Sequence, residues 1–370
     1  MSFSYQTGDP IEKKAALMIM ERLDQSDMHG SIGSIPDQME AAWEAMAGRT
    51  FPDACRNVNH VVLSGMGGSA LGAHLIQDVF RDRLRVPVTV VSDYAAPSWI
   101  DERTLIVLSS YSGGTEEVMA MAEHGLSRGI PMIALTTGGD LEAFAGRHGL
   151  PAVVFGSELN TCGQPRIGLG YAVTYLLAMF RQLGFVALAE SEITGALMLL
   201  RETNPGYAAP GEENPAYELA RATGGKSILI MASEHLTGNA HILANQWNEN
   251  AKNLAVWFAI PELNHHLLEG MTYPAEHRDG LAAVLIQSGL YDPRNRRRHE
   301  ITRTLLEKQG IACSVVTPRG ETALEQACDL LLLGTYASFY QALMNDTDPS
   351  PIPWVDQFKR LMAMGTHPPG

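Results

Sequence analysis

Six ionisable side chains stand inside an otherwise apolar segment, residues 247–270, which reads WNENAKNLAVWFAIPELNHHLLEG. They are Glu249, Lys252, Glu262, His265, His266 and Glu269. Burying such groups among tryptophan, phenylalanine and leucine is unfavourable unless they are paired, and sites of acid–base catalysis are where proteins keep them. We therefore expect an active site that draws on this segment.

A glycine-rich loop, SGMGGSALG at residues 64–72, follows an apolar run and admits more than one interpretation. Gly65, Gly67 and Ala70 satisfy the G-x-G-x-x-A pattern of dinucleotide-binding loops, and Asp93 follows the next apolar run, where a ribose-binding acid would lie. The pattern alone is weak, because any loop that brings a small ligand close to the backbone needs glycine, as does a tight turn without a ligand. A nicotinamide or flavin cofactor stays an alternative at this point.

A second loop carries hydroxyl side chains: SSYSGGT at residues 109–115 follows the apolar run TLIVL and precedes a helical pattern. Amides at a helix start bind phosphate with help from the helix dipole, and Ser110, Ser112 and Thr115 add donors without net charge. Such a loop explains how a chain of net charge -14 could hold an anionic ligand. The plainer alternative is that Thr115 only caps the helix, with Glu116 in its first turn.

The elements that must position these residues alternate in an α/β rhythm. Short apolar runs rich in β-branched residues predict buried parallel strands at 60–65, 86–91, 104–110, 131–136, 151–155, 226–231, 254–258, 281–287 and 311–318. Helical patterns separate most of them, including those near 237–250 and 295–309. We therefore expect an α/β fold with two tandem units, each a doubly wound, mostly parallel sheet flanked by helices.

The repeated rhythm predicts two domains, residues 1–200 with an amino-terminal helical extension and residues 201–370 with a carboxyl-terminal helix. The turn-rich stretch NPGYAAPGEENP at 204–215 predicts a connecting loop. The apolar stretch 322–344 predicts a long helix buried between the domains or against another subunit. A proline-rich patch, DPSPIPW at 348–354, leads into a short predicted helix, VDQFKRLM.

The composition excludes several classes of protein. A net charge of -14 argues against nucleic acid or an anionic membrane as a partner, because both need a basic face. No apolar run reaches the roughly 18 to 20 residues of a membrane span, and MSFSYQTGDP shows no secretion signal. The four cysteines are scattered without a CxxC pair, which is typical of reduced thiols in a cytoplasmic protein.

Taken together, the motifs resemble a known family. GMGGSALG after the first predicted strand, SDYAAP after the second and S-x-S-G-x-T after the third look like the sugar isomerase (SIS) domain, whose Ser/Thr loop holds the phosphate of a phosphosugar. Two such domains in tandem, with CGQPRIGLGY, WNENAK, PELNHHLLEG and a terminal VDQFKRL, resemble the bifunctional phosphoglucose/phosphomannose isomerase branch of the phosphoglucose isomerase superfamily. The resemblance extends from residue 60 to residue 362.

Aldose–ketose isomerisation needs a base that moves a proton between C1 and C2, a group that opens the sugar ring, and positive charge near the enediol oxygens. The resemblance implies that Glu249 is the base and that Arg166 steadies the enediolate. It also implies that His265 and Lys359 open the ring, with His265 contributed across a dimer interface. Each residue also has a structural alternative. Glu249 could be a surface carboxylate paired with a nearby cation, and Arg166 could form a salt bridge at a helix start. His265 could be a hydrogen-bonded loop histidine, and Lys359 a surface lysine.

The resemblance implies further that the sugar and its phosphate are held by Gly67, Gly68, Ser69, Ser110, Ser112 and Thr115. The implied substrates are glucose 6-phosphate and fructose 6-phosphate, with mannose 6-phosphate as a second aldose, and the implied enzyme is a homodimer without a cofactor. His265 and His266 are adjacent, but no HExxH motif or cysteine cluster accompanies them, so we expect no metal. The alternatives are an amino-sugar phosphate isomerase and a phosphosugar sensor without catalysis.

Overall fold

Parallel strands in two sheets form the framework of the computed structural model, which describes residues 10–364. The strands are β1 (His60–Ser64), β2 (Val88–Val91), β3 (Thr104–Ser110), β4 (Met132–Thr136), β5 (Ala152–Val154), β6 (Ser227–Ala232), β7 (Ala255–Ala259), β8 (Leu281–Ile286) and β9 (Ala312–Val316). The first sheet has the order β2-β1-β3-β4-β5 and the second the order β7-β6-β8-β9. The predicted fold class is confirmed, and every predicted strand is present.

The helices precede, separate and follow the strands. They are α1 (Pro10–Leu23), α2 (Met28–Gly33), α3 (Ile35–Ala45), α4 (Asp53–Arg56), α5 (Gly68–Val79), α6 (Glu116–Ser127), α7 (Gly139–His148), α8 (Leu169–Leu183), α9 (Glu190–Ala208), α10 (Pro215–Thr223), α11 (Thr237–Asn250), α12 (Leu267–Gly270), α13 (His277–Gly280), α14 (Pro293–Lys308), α15 (Ala323–Met344) and α16 (Pro353–Ala363). Two short 3-10 helices span Glu234–Leu236 and Glu262–His265. None of the helices within residues 10–364 is long and apolar enough to cross a membrane.

The central strands of each sheet are buried on both faces, as the β-branched runs predict, while the edge strands β7 and β9 are partly exposed. In β1, Val61 and Leu63 enter one hydrophobic core and Val62 enters another. In β6, Ile230 belongs to the first of these cores and Met231 to a third. Successive side chains of a strand point to opposite faces, so this alternation shows that apolar cores lie on both sides of these central strands.

Helix α15 joins the two halves of the chain through one shared core. All of its residues from Gln326 to Leu343 are buried, and it packs against α9, α10 and α11. The core around it includes Leu63 of the first sheet and Ile230 of the second. The long apolar helix predicted at 322–344 is therefore confirmed and is buried within the chain. The division at residue 200 stays a prediction and lies inside α9.

The connecting loop predicted at 204–215 is wrong in its first part, because α9 continues through Pro205 to its end. A proline inside a helix removes one backbone hydrogen bond, so contacts with other elements must hold this turn. Asn204 donates to the carbonyl of Gly33 at 2.8 Å and accepts from Tyr336 Oη at 2.9 Å. Tertiary contacts override a composition that locally favours a loop.

Helix α11 of the second half is held directly against α5 of the first half. Gly238 lies in the first turn of α11, and a Cβ at this position would lie 2.7 Å from the carbonyl oxygen of His74 on α5. Only glycine allows the two backbones to approach this closely. The contact fixes α11, and with it Glu249 in its last turn, relative to the first sheet.

Candidate active site

The Arg166 guanidinium lies at the centre of a polar cluster between the two halves of the chain. Its side chain is 1% exposed. Nε donates to Asn250 Oδ1 at 2.5 Å, and Nη1 donates to Gln164 Oε1 at 2.7 Å and to Glu249 Oε2 at 3.3 Å. The structure thus brings Arg166, from the loop before α8, directly to Glu249 on α11.

The remaining guanidinium nitrogen binds the chain just before α16. Arg166 Nη2 donates to the carbonyl oxygens of Pro349 at 2.9 Å and Ser350 at 2.8 Å. Arginine has five N–H donors, and here each has an acceptor within the protein. The contact with Glu249 is the longest of the five. Arg166 is therefore a rigidly held charge beside Glu249, with no N–H group left over for a further partner.

Glu249 is only 28% exposed. Burial raises the pKa of its carboxyl group above the ordinary value of 4.5, while the charges of Arg166, Lys359 and Lys252 act in the opposite direction without cancelling the effect. A carboxylate with a raised pKa accepts a proton more readily, so this environment favours a general base. The alternative of a paired surface carboxylate fits less well, because the partner is a buried arginine rather than a surface lysine.

Lys359 lies on α16, close enough to Glu249 for its charge to lower the pKa of that carboxyl. The helix follows directly on the two carbonyls that Arg166 binds, which explains how the carboxyl-terminal end of the described chain reaches the cluster. The side chains of Trp354, Phe358 and Leu361 on α16 are 80%, 62% and 56% exposed. The terminal helix is therefore present as predicted, with an apolar surface that no other part of residues 10–364 covers.

His265 is not brought to this cluster within one chain. It ends the 3-10 helix Glu262–His265, so the predicted loop is in fact a short helical turn, and its side chain is exposed. Across residues 10–364, no hydrogen bond or ion pair joins His265 to Glu249 or Arg166. The adjacent His266 pairs with Glu262 through Nε2 at 2.9 Å.

The hydroxyl loop after β3 is ordered by its own side chains. Ser110 Oγ and Thr115 Oγ1 share a hydrogen bond of 2.7 Å, and the Gly113 amide donates to Ser110 Oγ at 3.0 Å. Thr115 makes no side-chain capping bond to α6, so the alternative of simple capping is not what the structure shows. Gly113 has φ 74°, and a Cβ there would lie 1.9 Å from the carbonyl of Gly138, so only glycine fits this turn. Ser112 is exposed at the rim.

The glycine-rich loop connects the hydroxyl loop to Arg166. Ser69 Oγ accepts from the Tyr111 amide at 2.9 Å, which links it to the hydroxyl loop. A Cβ on Gly68 would lie 3.0 Å from the main chain of Pro165, next to Arg166. Gly67 has φ 49°, in the region that favours glycine. Contacts therefore run without a break from the hydroxyl loop through Gly68 and Ser69 to Arg166 and Glu249.

Two amide side chains of the cluster received no role from the sequence. Gln164 stands two residues before Arg166, and Asn250 stands one residue after Glu249. Asn250 is completely buried and also donates to Ser338 Oγ at 2.9 Å, so both of its amide atoms are engaged. The sequence signal that could have identified both residues is the position of an amide side chain within two residues of a candidate ionisable residue. Among residues 10–364, no group of three or more histidine, cysteine or acidic side chains is arranged to hold a metal ion.

Comparisons with known proteins identify the family. The family model described as bacterial phospho-glucose isomerase C-terminal SIS domain matches residues 212–362. The bifunctional phosphoglucose/phosphomannose isomerase of Caldicellulosiruptor bescii is 31% identical over 343 residues, covering 91% of this chain and 99% of that protein. The enzyme of the same name from Thermoplasma volcanium is 27% identical, covering 82% and 91%. A crystal structure of a hypothetical protein from Thermus thermophilus has the same fold, with a TM-score of 0.75 at 18% identity and coverage of 96% and 94%. The chain belongs to the bifunctional phosphoglucose/phosphomannose isomerase family.

Proposed function

We propose that the protein interconverts glucose 6-phosphate and mannose 6-phosphate with fructose 6-phosphate through an enediol intermediate, without a cofactor or a metal. Family membership makes it an isomerase. The observation that carries the assignment of the site is the pairing of Glu249, a half-buried carboxylate with a raised pKa, with the fully buried Arg166. This is the combination of base and fixed positive charge that aldose–ketose isomerisation requires.

In the proposed reaction Glu249 removes the proton from C2 of the open-chain aldose, the carbonyl oxygen O1 takes up the negative charge, and the proton of the O2 hydroxyl then passes to O1. Glu249 returns its proton to C1, which leaves the carbonyl at C2 of the ketose, and the reverse direction uses the same groups. When Glu249 takes up the proton, its negative charge disappears and a negative charge develops on the enediolate oxygen. Arg166 then loses its compensating carboxylate and faces the enediolate instead. Because its five N–H groups are already bound, Arg166 stabilises this state as a fixed charge rather than as a new hydrogen-bond donor.

The phosphate is assigned to the hydroxyl loop. Gly67, Gly68 and Ser69 would line the sugar between this loop and Arg166, while Ser110, Ser112 and Thr115 hold the phosphate. Hydroxyl groups and loop amides suit this role, because they donate hydrogen bonds to an anion without adding net charge. The mutual hydrogen bond of Ser110 and Thr115 keeps both hydroxyls in place before a ligand arrives.

Replacing both Ser110 with alanine and Thr115 with valine is expected to raise KM for fructose 6-phosphate by about 10²- to 10⁴-fold, since two hydrogen bonds to a charged group are lost and each is worth about 1.5–3 kcal/mol. The value of kcat should change much less, because the reacting carbons lie elsewhere. Steady-state kinetics of purified protein measure both constants. The control is Ser127→Ala at the other end of α6, whose hydroxyl donates to the carbonyl of His124. An unchanged KM in the double variant would remove the loop from phosphate binding.

Ring opening is assigned to Lys359 of the same chain and to His265 of a second copy. Two features support a homodimer with a shared site. Within residues 10–364, His265 is exposed and has no hydrogen bond or ion pair to Glu249, and α16 presents exposed Trp354, Phe358 and Leu361 beside the cluster. Large exposed apolar surfaces next to a functional site mark positions that another protein covers.

The unpaired Cys55 and the other three free cysteines fit a cytoplasmic enzyme.

Mixing two inactive variants tests the shared site. Glu249→Gln and His265→Ala are each expected to be nearly inactive, but a mixture refolded together should recover about a quarter of the wild-type rate, because half of the dimers would be hybrids with one complete site. The measurement compares the activity of an equal mixture of the two variants before and after they are refolded together, the step in which the subunits exchange. Failure of hybrids to regain activity, with exchange verified by mass spectrometry, would place His265 outside the partner's site.

The function as a whole is tested by a direct assay with glucose, mannose, fructose and glucosamine 6-phosphates, with and without a chelator. Turnover of the first three that survives the chelator is the expected result. Turnover of glucosamine 6-phosphate alone would assign the protein to amino-sugar metabolism, and binding without turnover would make it a sensor. A thermal-shift measurement with a nicotinamide dinucleotide should show no binding, since the hydroxyl loop has no place in a dinucleotide site.

A further inference from the structure

Lys252, which has no role in the function proposed above, binds the same stretch of backbone as Arg166. Its Nζ donates to the carbonyl oxygen of Asp348 at 2.6 Å and to that of Asn250 at 3.1 Å. Arg166 binds the next two carbonyls, those of residues 349 and 350. Two cations from opposite halves of the chain therefore hold three consecutive carbonyls, which we name the carbonyl segment, residues 348–350.

The backbone of Lys252 gives a second, independent observation. It lies two residues beyond the end of α11 with φ 51°, in the left-handed region where helices usually place glycine. A lysine at such a position is strained, and strain of this kind persists where the side chain contributes something that glycine lacks. What the side chain contributes here is the pair of hydrogen bonds to Asn250 and the carbonyl segment.

We propose that Lys252 is a positioning residue of the isomerase site, which holds the carbonyl segment in place and thereby fixes both the Arg166 guanidinium and the start of α16, the helix that carries Lys359. The inference rests on the proposed function, because it assigns Lys252 a part in the same site. Lys252 acts through other residues and does not touch the substrate. The Ser350 amide, which donates to Asp348 Oδ1 at 2.9 Å, stiffens the segment from within.

The charges around Lys252 make its contribution dependent on pH. Partial burial and the positive charge of Arg166 together lower the pKa of Lys252 to about 8, against the opposing charges of Asp348 and Glu249. Lys226 lines the same surface cavity. An uncharged amine is a weaker donor to carbonyl oxygens, so the carbonyl segment should loosen as the pH rises above 8.

The test compares Lys252→Gly, Lys252→Met and Lys252→Arg with wild type and with Lys226→Met as a matched control. Glycine removes the side chain and relieves the strain, so this variant should keep or raise the thermal midpoint while kcat for fructose 6-phosphate falls on the order of 10- to 100-fold. Methionine should lower kcat to a similar extent at all pH values. Arginine keeps its charge, so it should retain most of the activity and lose the alkaline decline of the wild-type rate.

Hydrogen–deuterium exchange of a peptide spanning residues 345–356 provides a readout that does not need turnover. Exchange should be faster in Lys252→Gly than in wild type and unchanged in Lys226→Met. The proposal for Lys252 would be overturned if the peptide exchanged in Lys252→Gly at the same rate as in wild type, or if Lys252→Gly kept the full kcat. A wild-type protein that turns over no hexose 6-phosphate would instead contradict the proposed function, and the exchange experiment would still decide whether Lys252 holds the segment.

Discussion

Replacing Glu249 with glutamine is expected to lower kcat by about 10²- to 10⁴-fold, the contribution that a positioned general base makes to proton transfer. Glutamine has nearly the same shape and can still accept the 3.3 Å hydrogen bond from Arg166, so the fold and the substrate affinity should change little. Steady-state kinetics in both directions measure the loss. Near-normal kcat in this variant would remove Glu249 from the role of base.

The matched control is Glu262→Gln in the same segment. Glu262 is exposed and pairs with His266, so its replacement should leave kcat within a factor of about two, as expected of a surface ion pair. The pair of variants separates the loss of one specific base from a general loss of charge in residues 247–270.

The pH dependence of the wild-type rate follows from the same carboxyl. Glu249 must be ionised to accept a proton, and burial raises its pKa above 4.5. The value of kcat/KM should therefore fall as the pH drops through this raised pKa, at a higher pH than for an ordinary glutamate. In Glu249→Gln the residual activity should lack this acid decline. A decline with the same midpoint in both proteins would assign it to another group.

Periodicity was enough to predict the sheets because parallel strands buried on both faces are nearly continuous apolar runs. Val61, Val62 and Leu63 show this, since they enter different cores yet give one apolar signal. Residues 204–208 were predicted wrongly for the opposite reason. Their helix is held by Asn204 contacts to distant residues, and no local pattern encodes such contacts.

The candidate site was predictable where a residue type is chemically conspicuous and was missed where its role is supportive. Glu249 was selected as a charge in apolar surroundings and Arg166 through the family resemblance, and the structure joins them. Asn250 and Lys252 lie in the same segment, yet their partners are distant in the sequence: Arg166 and Ser338 for Asn250, and the carbonyl of Asp348 for Lys252. The structure does not join His265 to Glu249 or Arg166 by a hydrogen bond or ion pair within residues 10–364, and its contribution across a dimer interface, which the resemblance implied, stays a proposal.

Replacing Arg166 with methionine is expected to lower kcat by about 10²- to 10³-fold, the loss that follows removal of one preorganised group that stabilises a developing negative charge. It should also lower the free energy of unfolding by about 3 kcal/mol, because Glu249 loses its partner and the carbonyls of residues 349 and 350 lose their donors. Kinetics and urea denaturation measure the two effects separately.

A third consequence distinguishes loss of the Arg166 charge from mere loosening of the fold. Arg166 holds the pKa of Glu249 down, so its removal should move the acid decline of kcat/KM to higher pH. The control is Arg201→Met, a surface arginine paired with Asp37 and Glu40, which should change stability by less than about 1 kcal/mol and leave the pH profile in place. An Arg166→Met enzyme with the wild-type acid decline would show that the guanidinium does not act on the Glu249 carboxyl, and the proposed exchange of charge between Glu249, Arg166 and the enediolate would fail with it.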